Sequence, residues 1–276
     1  MSQGRLAIAC AQLDGADATE SARIDGAIAA INSAVASTRG SESDPTLIVL
    51  PELWPVGFFH FDDYAELAQS LSGPVVREMQ RAARSAGAWV LGGSFLEKGV
   101  RGNHNTAVLI DPDGRVRHTY RKVHLYGLDS AESDLLVPGE QVATAPLPWG
   151  RLGIMTCYDL RFPEIARDLV GQGAEMLAVV SAWPIPRIEH WRTLLRARAV
   201  ENQVWVVACN AAGVDAGVLL GGHSAIIAPD GEVRAEAGTD GTILSANIDV
   251  GEVDTVRERL PFLADRRYSV HLSALD

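Results

Sequence analysis

The stretch LIDPDGRVR (109–117) recurs as IIAPDGEVR (226–234). In each copy an apolar run meets a Pro-Asp-Gly turn and then a second strand-like run, the pattern of a β-hairpin. Three more segments recur in the same order. Arg5-Leu6-Ala7-Ile8 is echoed by Arg151-Leu152-Gly153-Ile154, residues 47–50 by 177–180, and Ala88-Trp89-Val90-Leu91 by Val204-Trp205-Val206-Val207. One such match is short enough for chance, whereas four in one order point to a pseudo-twofold plan.

Strands are expected at 6–10, 47–50, 89–91, 107–110 and 116–120, and again at 152–156, 177–180, 204–207 and the second hairpin. Between them lie helical patterns. Residues 18–38 carry an apolar stripe at Ile24, Ile28, Ile31 and Val35, and further helices are expected at 75–86 and 186–202. The strands are nearly continuous apolar runs, which suits burial on both faces. Two mixed sheets packed face to face with helices outside, a four-layer αββα sandwich, satisfy this. A single doubly wound sheet accommodates two hairpins less well.

The 276 residues allow one large domain or two small ones, and the duplicated plan favours one unit spanning 1–276. The polar stretch 39–45 (RGSESDP) is too short for a domain linker. A net charge of −11 argues against a nucleic-acid partner. No apolar run approaches the roughly 20 residues that span a bilayer, and residues 1–5 lack the pattern of a signal peptide. Cys10, Cys157 and Cys209 are too few for a disulfide framework and suit a reducing, cytoplasmic compartment.

Three ionisable residues follow strands. Glu52 ends LIVLPE, Lys122 lies in HTYRKVHL, and Cys157 lies in RLGIMTCYDLRFPE. Singly, each reads as ordinary: a buried small thiol, a solvated carboxylate, a surface lysine. Cys10 and Cys209 lie within apolar runs and read as core. Together the three make a coherent machine. A strand-end cysteine is a good mount for a nucleophile, and Glu52 is suited to take its proton. Lys122 and the backbone N–H of Tyr158 are suited to stabilise an oxyanion. A serine nucleophile lacks support, because no G-x-S-x-G elbow exists and Gly92-Gly93-Ser94 lacks a longer Gly/Ser-rich run. Gly171-Gln172-Gly173 has no third glycine and follows a helical pattern, which speaks against a dinucleotide site.

At these residues the sequence resembles the nitrilase superfamily of carbon–nitrogen hydrolases, from about Leu6 to about Arg267. The matching motifs are LPELW, YRKVHL and MTCYDLRFPE, followed by HWRTLLRARAVENQVWVVACNAAG (190–213) and GGHSAIIAPDGEV (221–233). The resemblance implies an αββα sandwich and a Glu-Lys-Cys triad on Glu52, Lys122 and Cys157. It implies a second glutamate ahead of a Pro-Gly, which Glu132 fits and Glu140 does not; its role there is to hold Lys122 and help position substrate. It implies no metal and no organic cofactor, and the chain has neither H-E-x-x-H nor C-x-x-C. It also implies a homodimer with helix 186–202 and the segment after Cys157 in contact. The charged face of that helix (Arg187, Glu189, Arg192, Arg196, Arg198) reads equally as solvated, and Arg198 with Glu201 as an intrahelical pair.

Within the superfamily, CYDLRFPE and AWPIPRIEHWRTLLRARAVENQ look like the omega-amidase group, which releases ammonia from the distal amide of short 2-oxo dicarboxylic monoamides. An anionic substrate requires a cation, and Arg161 and Arg187 are candidates. Arg161 reads equally as an ion pair pinning the turn after Cys157. Trp183 reads as a pocket wall or as core. N-carbamoyl amide hydrolysis and nitrile hydrolysis use the same triad and stay open, as does a non-catalytic binding protein on the same fold. LWPVGFFHF after Glu52 departs from the usual Thr-Gly-containing wording, which leaves the substrate open.

Overall fold

The computed structural model describes residues 4–15, 18–38, 46–128 and 130–269. The polar stretch 39–45 and the first three residues lie outside the described residues.

In the first half, β1 (Arg5–Gln12), β2 (Thr46–Val49), β3 (Trp89–Lys98), β4 (Asn103–Ile110) and β5 (Val116–Arg121) lie side by side in that order. β1, β2 and β3 are parallel; β4 and β5 run antiparallel as a hairpin. The second half contributes β6 (Thr144–Leu147), β7 (Gly150–Thr156), β8 (Met176–Ser181) and β9 (Trp205–Asn210). A two-stranded ribbon follows, β10 (Val214–Asp215) with β11 (Val218–Leu219), and then the hairpin β12 (Ala225–Ile227) and β13 (Val233–Glu236). The second sheet runs β6-β7-β8-β9-β12-β13, with β7, β8 and β9 parallel. β14 (Thr242–Asp249) returns to pair antiparallel with β1, as β6 pairs antiparallel with β7. The two sheets therefore match strand for strand: β7 stands where β1 does, β8 where β2 does, β9 where β3 does.

Alternation along each strand builds the layers. Leu6, Ile8 and Cys10 of β1 meet Trp205, Val207 and Cys209 of β9 in one core between the sheets. Ala9 and Ala11 point the other way, toward α1 (Glu20–Thr38). After the short α2 (Tyr64–Leu67), α3 (Pro74–Ala86) joins that outer layer through Val75, Val76 and Met79. On the far side, past the short α4 (Glu132–Leu135), α5 (Pro163–Gly171) and α6 (Ile188–Asn202) cover Val206 and Ala208. The last helix, α7 (Glu252–Arg259), follows β14. The result is the αββα sandwich. Among the described residues no helix is long and apolar enough to cross a membrane. Cys10, Cys157 and Cys209 are all free and buried.

β6, β14, α5 and α7 are not among the expected elements and β4 starts earlier, at Asn103, while two expected elements change shape for a local reason. The strand read as 89–91 continues to Lys98, because the ladder to β4 absorbs a register shift between Leu91 and Ser94 at a Gly93 with φ +64°. The helix expected at 186–202 opens as a 3₁₀ turn, Ile185–Arg187, and becomes α-helical only at Ile188. Pro184 and Pro186 supply no N–H to a regular first turn.

Candidate active site

Glu52 is set by a tight seat on the neighbouring strand. A Cβ on Gly93 would lie 2.0 Å from the Pro51 carbonyl oxygen, so only glycine lets the turn approach β3 this closely. Ser94 N–H donates to Pro51 O (3.2 Å), Leu53 N–H donates to Ser94 Oγ (3.0 Å), and Trp54 Nε1 donates to Gly92 O (2.8 Å). Glu52 N–H then donates to Ser181 O (3.3 Å), and Glu52 Oε2 accepts from Ala182 N–H (3.0 Å). The turn after β2 thus meets the turn after β8, its counterpart in the other half.

Lys122 follows β5 and is buried completely, as are Glu52 and Glu132 beside it. Its Nζ donates to Glu52 Oε1 (2.8 Å) and to both oxygens of Glu132 (2.9 and 2.8 Å). Asn105 Nδ2 bridges the same two carboxylates, at 2.8 Å to Glu52 and 3.0 Å to Glu132. Tyr126 N–H donates to Glu132 Oε2 (2.7 Å) and so fixes the start of α4 over the lysine. The Phe58 ring centroid lies 5.2 Å from Nζ. Burial disfavours the charged lysine, but the Glu132 and Glu52 carboxylates outweigh it and hold its pKa above the ordinary value. Burial, aided by Glu52, lifts Glu132 above the usual carboxylate range despite Lys122.

Cys157 opens a 3₁₀ turn, Cys157–Arg161, directly after β7. Its φ of +46° is a strained conformation for a residue with a Cβ. Asp159, fully buried, holds the turn: its Oδ2 accepts from Thr156 N–H (3.0 Å) and from Tyr120 O–H (2.6 Å). Its Oδ1 accepts from His124 N–H (2.9 Å) and lies 3.0 Å from His124 Nδ1. One carboxylate therefore ties the cysteine turn to the residues on either side of Lys122. Burial pushes the thiol pKa up and Glu52 adds to this; Lys122 and the Ser181 hydroxyl oppose them without prevailing. The resting thiol is protonated at neutral pH.

The Cys157 thiol faces a pocket that also includes Tyr158, Arg161, Trp183, Arg187, Tyr126 and Phe58. The Arg161 guanidinium lies 4.6 Å from the Trp183 ring centroid, and that of Arg187 lies 5.8 Å from Tyr126. Among the described residues neither arginine is paired with a carboxylate; Arg161 Nη1 lies 3.4 Å from His190 Nδ1 instead. Among the described residues the ion pair expected of Arg161 is therefore not found. Trp183 meets both of its readings: it is buried, with Nε1 donating to Arg187 O (2.8 Å), and it also walls the pocket. Arg198 pairs within its own helix, Nη1 to Glu201 Oε1 at 2.8 Å. Glu140 is exposed and paired with Arg101, away from the cluster. A larger cavity of about 300 Å³ reaches Glu52 from the α1 side beside Arg23 and Asp215, but it does not include Cys157.

Asn105, Ser181 and Asp159 were not singled out by sequence. Asp159 had a signal in the Thr156-x-x-Asp159 spacing of a capping box. Asn105 sits inside β4 and becomes a neighbour of the cluster once the first sheet forms, whereas Ser181 ends β8 and meets Glu52 only when the two sheets come together.

The carbon–nitrogen hydrolase family model matches residues 7–258. The 2-oxoglutaramate amidase of Paenarthrobacter nicotinovorans is 40% identical over 232 residues, covering 81% of this chain and 79% of that one. The 2-oxoglutaramate amidase of Bacillus subtilis (strain 168) is 36% identical over 225 residues, covering 82% and 86%. The crystal structure of Saccharomyces cerevisiae Nit3, a member of branch 10 of the nitrilase superfamily, superposes with a TM-score of 0.86 at 29% identity, covering 96% and 97%.

Proposed function

The chain belongs to the carbon–nitrogen hydrolase family, and from that membership we propose that it is an amidase releasing ammonia from a short omega-amide that carries a carboxylate. The observation that carries the reading is the buried Glu52–Lys122–Glu132 cluster acting electrostatically on the Cys157 thiol. In this reading Cys157 Sγ attacks the amide carbon as Glu52 takes the thiol proton. The Lys122 positive charge and the Tyr158 N–H stabilise the oxyanion. Collapse breaks the C–N bond, Glu52 returns the proton to the leaving nitrogen, and ammonia departs from a thioester. Glu52 next deprotonates a water that attacks the thioester carbon; the acid leaves and the thiol regains its proton. Glu132 and Asn105 hold Lys122 in place. The high thiol pKa fits this sequence, since proton transfer then accompanies attack instead of preceding it.

The carboxylate requirement rests on Arg161 and Arg187, two guanidiniums in the Cys157 pocket without a carboxylate partner among the described residues. Each offers the bidentate fork that carboxylates bind, and Trp183 walls the pocket. The names of the relatives support the same substrate class. The whole chain acts as one catalytic unit, in a homodimer that apposes α6 and the segment after Cys157.

An ammonia-release panel of omega-monoamides, nitriles and N-carbamoyl amino acids tests the reading. Turnover of succinamate and 2-oxoglutaramate is expected, with an acyl adduct on the wild-type chain by intact mass that is absent from Cys157→Ala. Turnover of nitriles alone, or an adduct that persists in Cys157→Ala, overturns it.

A further inference from the structure

Beyond the Cys157 pocket lies a second cavity of about 260 Å³. The two share Phe59, Tyr126, Pro184 and Arg187 in their linings, so the outer cavity adjoins the thiol pocket across these four residues. The outer part adds only apolar side chains: Ile185, Pro186, Val218 and Leu219. Leu219 is 51% exposed and lies beside Val218 in this apolar lining.

The groove is built, not incidental. Asp215 Oδ2 accepts from Phe59 N–H (3.0 Å), which fastens the β10–β11 ribbon to the aromatic loop on the opposite wall. Gly221 N–H donates to Trp183 O (2.8 Å), which fastens the end of the ribbon to the turn that carries Arg187. Arg187 stands at the junction of the inner and outer cavities. A carboxylate paired with Arg187 and an amide at Cys157 would leave Ile185 and Leu219, which line the outer cavity with Arg187, to a group on the carbon that bears the carboxylate.

We propose that this outer groove is a subsite for an apolar substituent on the carbon next to the substrate carboxylate, so that the enzyme takes N-acylated omega-amides as well as unsubstituted ones. This rests on the amidase reading above. The chemistry at the amide is unchanged; the groove adds binding through apolar surface removed from water, worth up to about fourfold per buried methylene.

The test compares kcat/KM for ammonia release from succinamate, N-acetyl-L-glutamine and N-hexanoyl-L-glutamine. The hexanoyl compound is expected to exceed the acetyl one by at least about tenfold, given four added methylenes. Leu219→Asp is expected to remove that advantage and leave succinamate turnover unchanged. Hydrolysis of succinamate with no gain from acetyl to hexanoyl overturns the subsite but not the amidase reading. No hydrolysis of any of the three overturns the amidase reading itself. If Leu219→Asp lowers succinamate and hexanoyl turnover equally, or changes the mass in solution with the acyl preference intact, the groove is an access wall or a subunit contact and the proposal fails.

Discussion

Lys122 has three N–H bonds and no contact with water, so each bond must find an acceptor inside the protein. Two carboxylates supply them, and the second carboxylate has a consequence for the cysteine. With Lys122 charged and both glutamates ionised, the cluster carries a net negative charge next to a buried thiol. Glu52 raises the thiol pKa and Lys122 lowers it. Because the pKa is raised, the thiolate fraction at neutral pH is small and grows tenfold per pH unit. Alkylation of the wild-type enzyme by iodoacetamide should therefore keep rising through pH 9, where an ordinary cysteine is already levelling off. Cys10 and Cys209 are fully buried, so the signal reports on Cys157. In Glu52→Gln one raising influence disappears, so the thiol pKa falls. Alkylation at pH 8 should speed up by roughly tenfold or more, while ammonia release falls at least about 100-fold with the loss of the base. Parallel losses of both rates would show that the Glu52 charge does not set the thiol.

At the scale of elements, the bulge in β3 is the seat of the Pro51–Glu52 turn. Gly93 and Gly87 offer a controlled comparison, since both are left-handed, at φ +64° and +62°. A Cβ on Gly87, which caps α3, would have nothing within 4 Å, whereas one on Gly93 meets Pro51 O. Gly87→Ala should cost about 1 kcal/mol by urea denaturation, the price of φ alone. Gly93→Ala should cost at least about 2 kcal/mol and should lower kcat as well, because the Pro51–Glu52 turn must move. Equal effects at the two sites would remove the seat argument. The same bulge shows why parts of the fold were hard to read. Gly92-Gly93-Ser94 lacks the longer Gly/Ser-rich run of a serine hydrolase and follows the expected strand end at Leu91, and the sequence does not show that its glycines serve a neighbour distant along the chain. Glu52 and Cys157 each follow a strongly apolar strand, whereas β5 ahead of Lys122 is VRHTYR, mostly polar and exposed, so Lys122 stands out in the sequence only through its motif. β14 was not, since its edge position leaves Thr242, Ser245 and Asn247 among its apolar residues and blurs the pattern. α5 had a usable signal, a first-turn proline with apolar Ile165, Ala166, Leu169 and Val170, but its nine residues hold only about two and a half turns of periodicity.

At the scale of the molecule, the site exists only where two similar halves meet. Glu52 and Lys122 hang from strands of the first sheet; Cys157 and Ser181 hang from strands of the second. The duplicated plan places both sets at the same end of the sandwich, and the core of Leu6, Ile8 and Cys10 against Trp205, Val207 and Cys209 holds them in register. Activity should then depend on inter-sheet packing as a whole. Ile8→Ala removes a fully buried side chain from that core, far from any catalytic atom in sequence, and should cost about 2–5 kcal/mol. Three of the six tryptophans, Trp89, Trp149 and Trp205, lie in this core and the other three pack in the outer layers, so tryptophan fluorescence follows the packed sandwich as a whole. If the sheets part as one cooperative unit, the urea midpoints for fluorescence and for ammonia release coincide in the wild type, and both move down together in Ile8→Ala. Activity lost at a clearly lower urea concentration than the fluorescence change would mean that the halves separate, or the catalytic turns loosen, before the shared core opens.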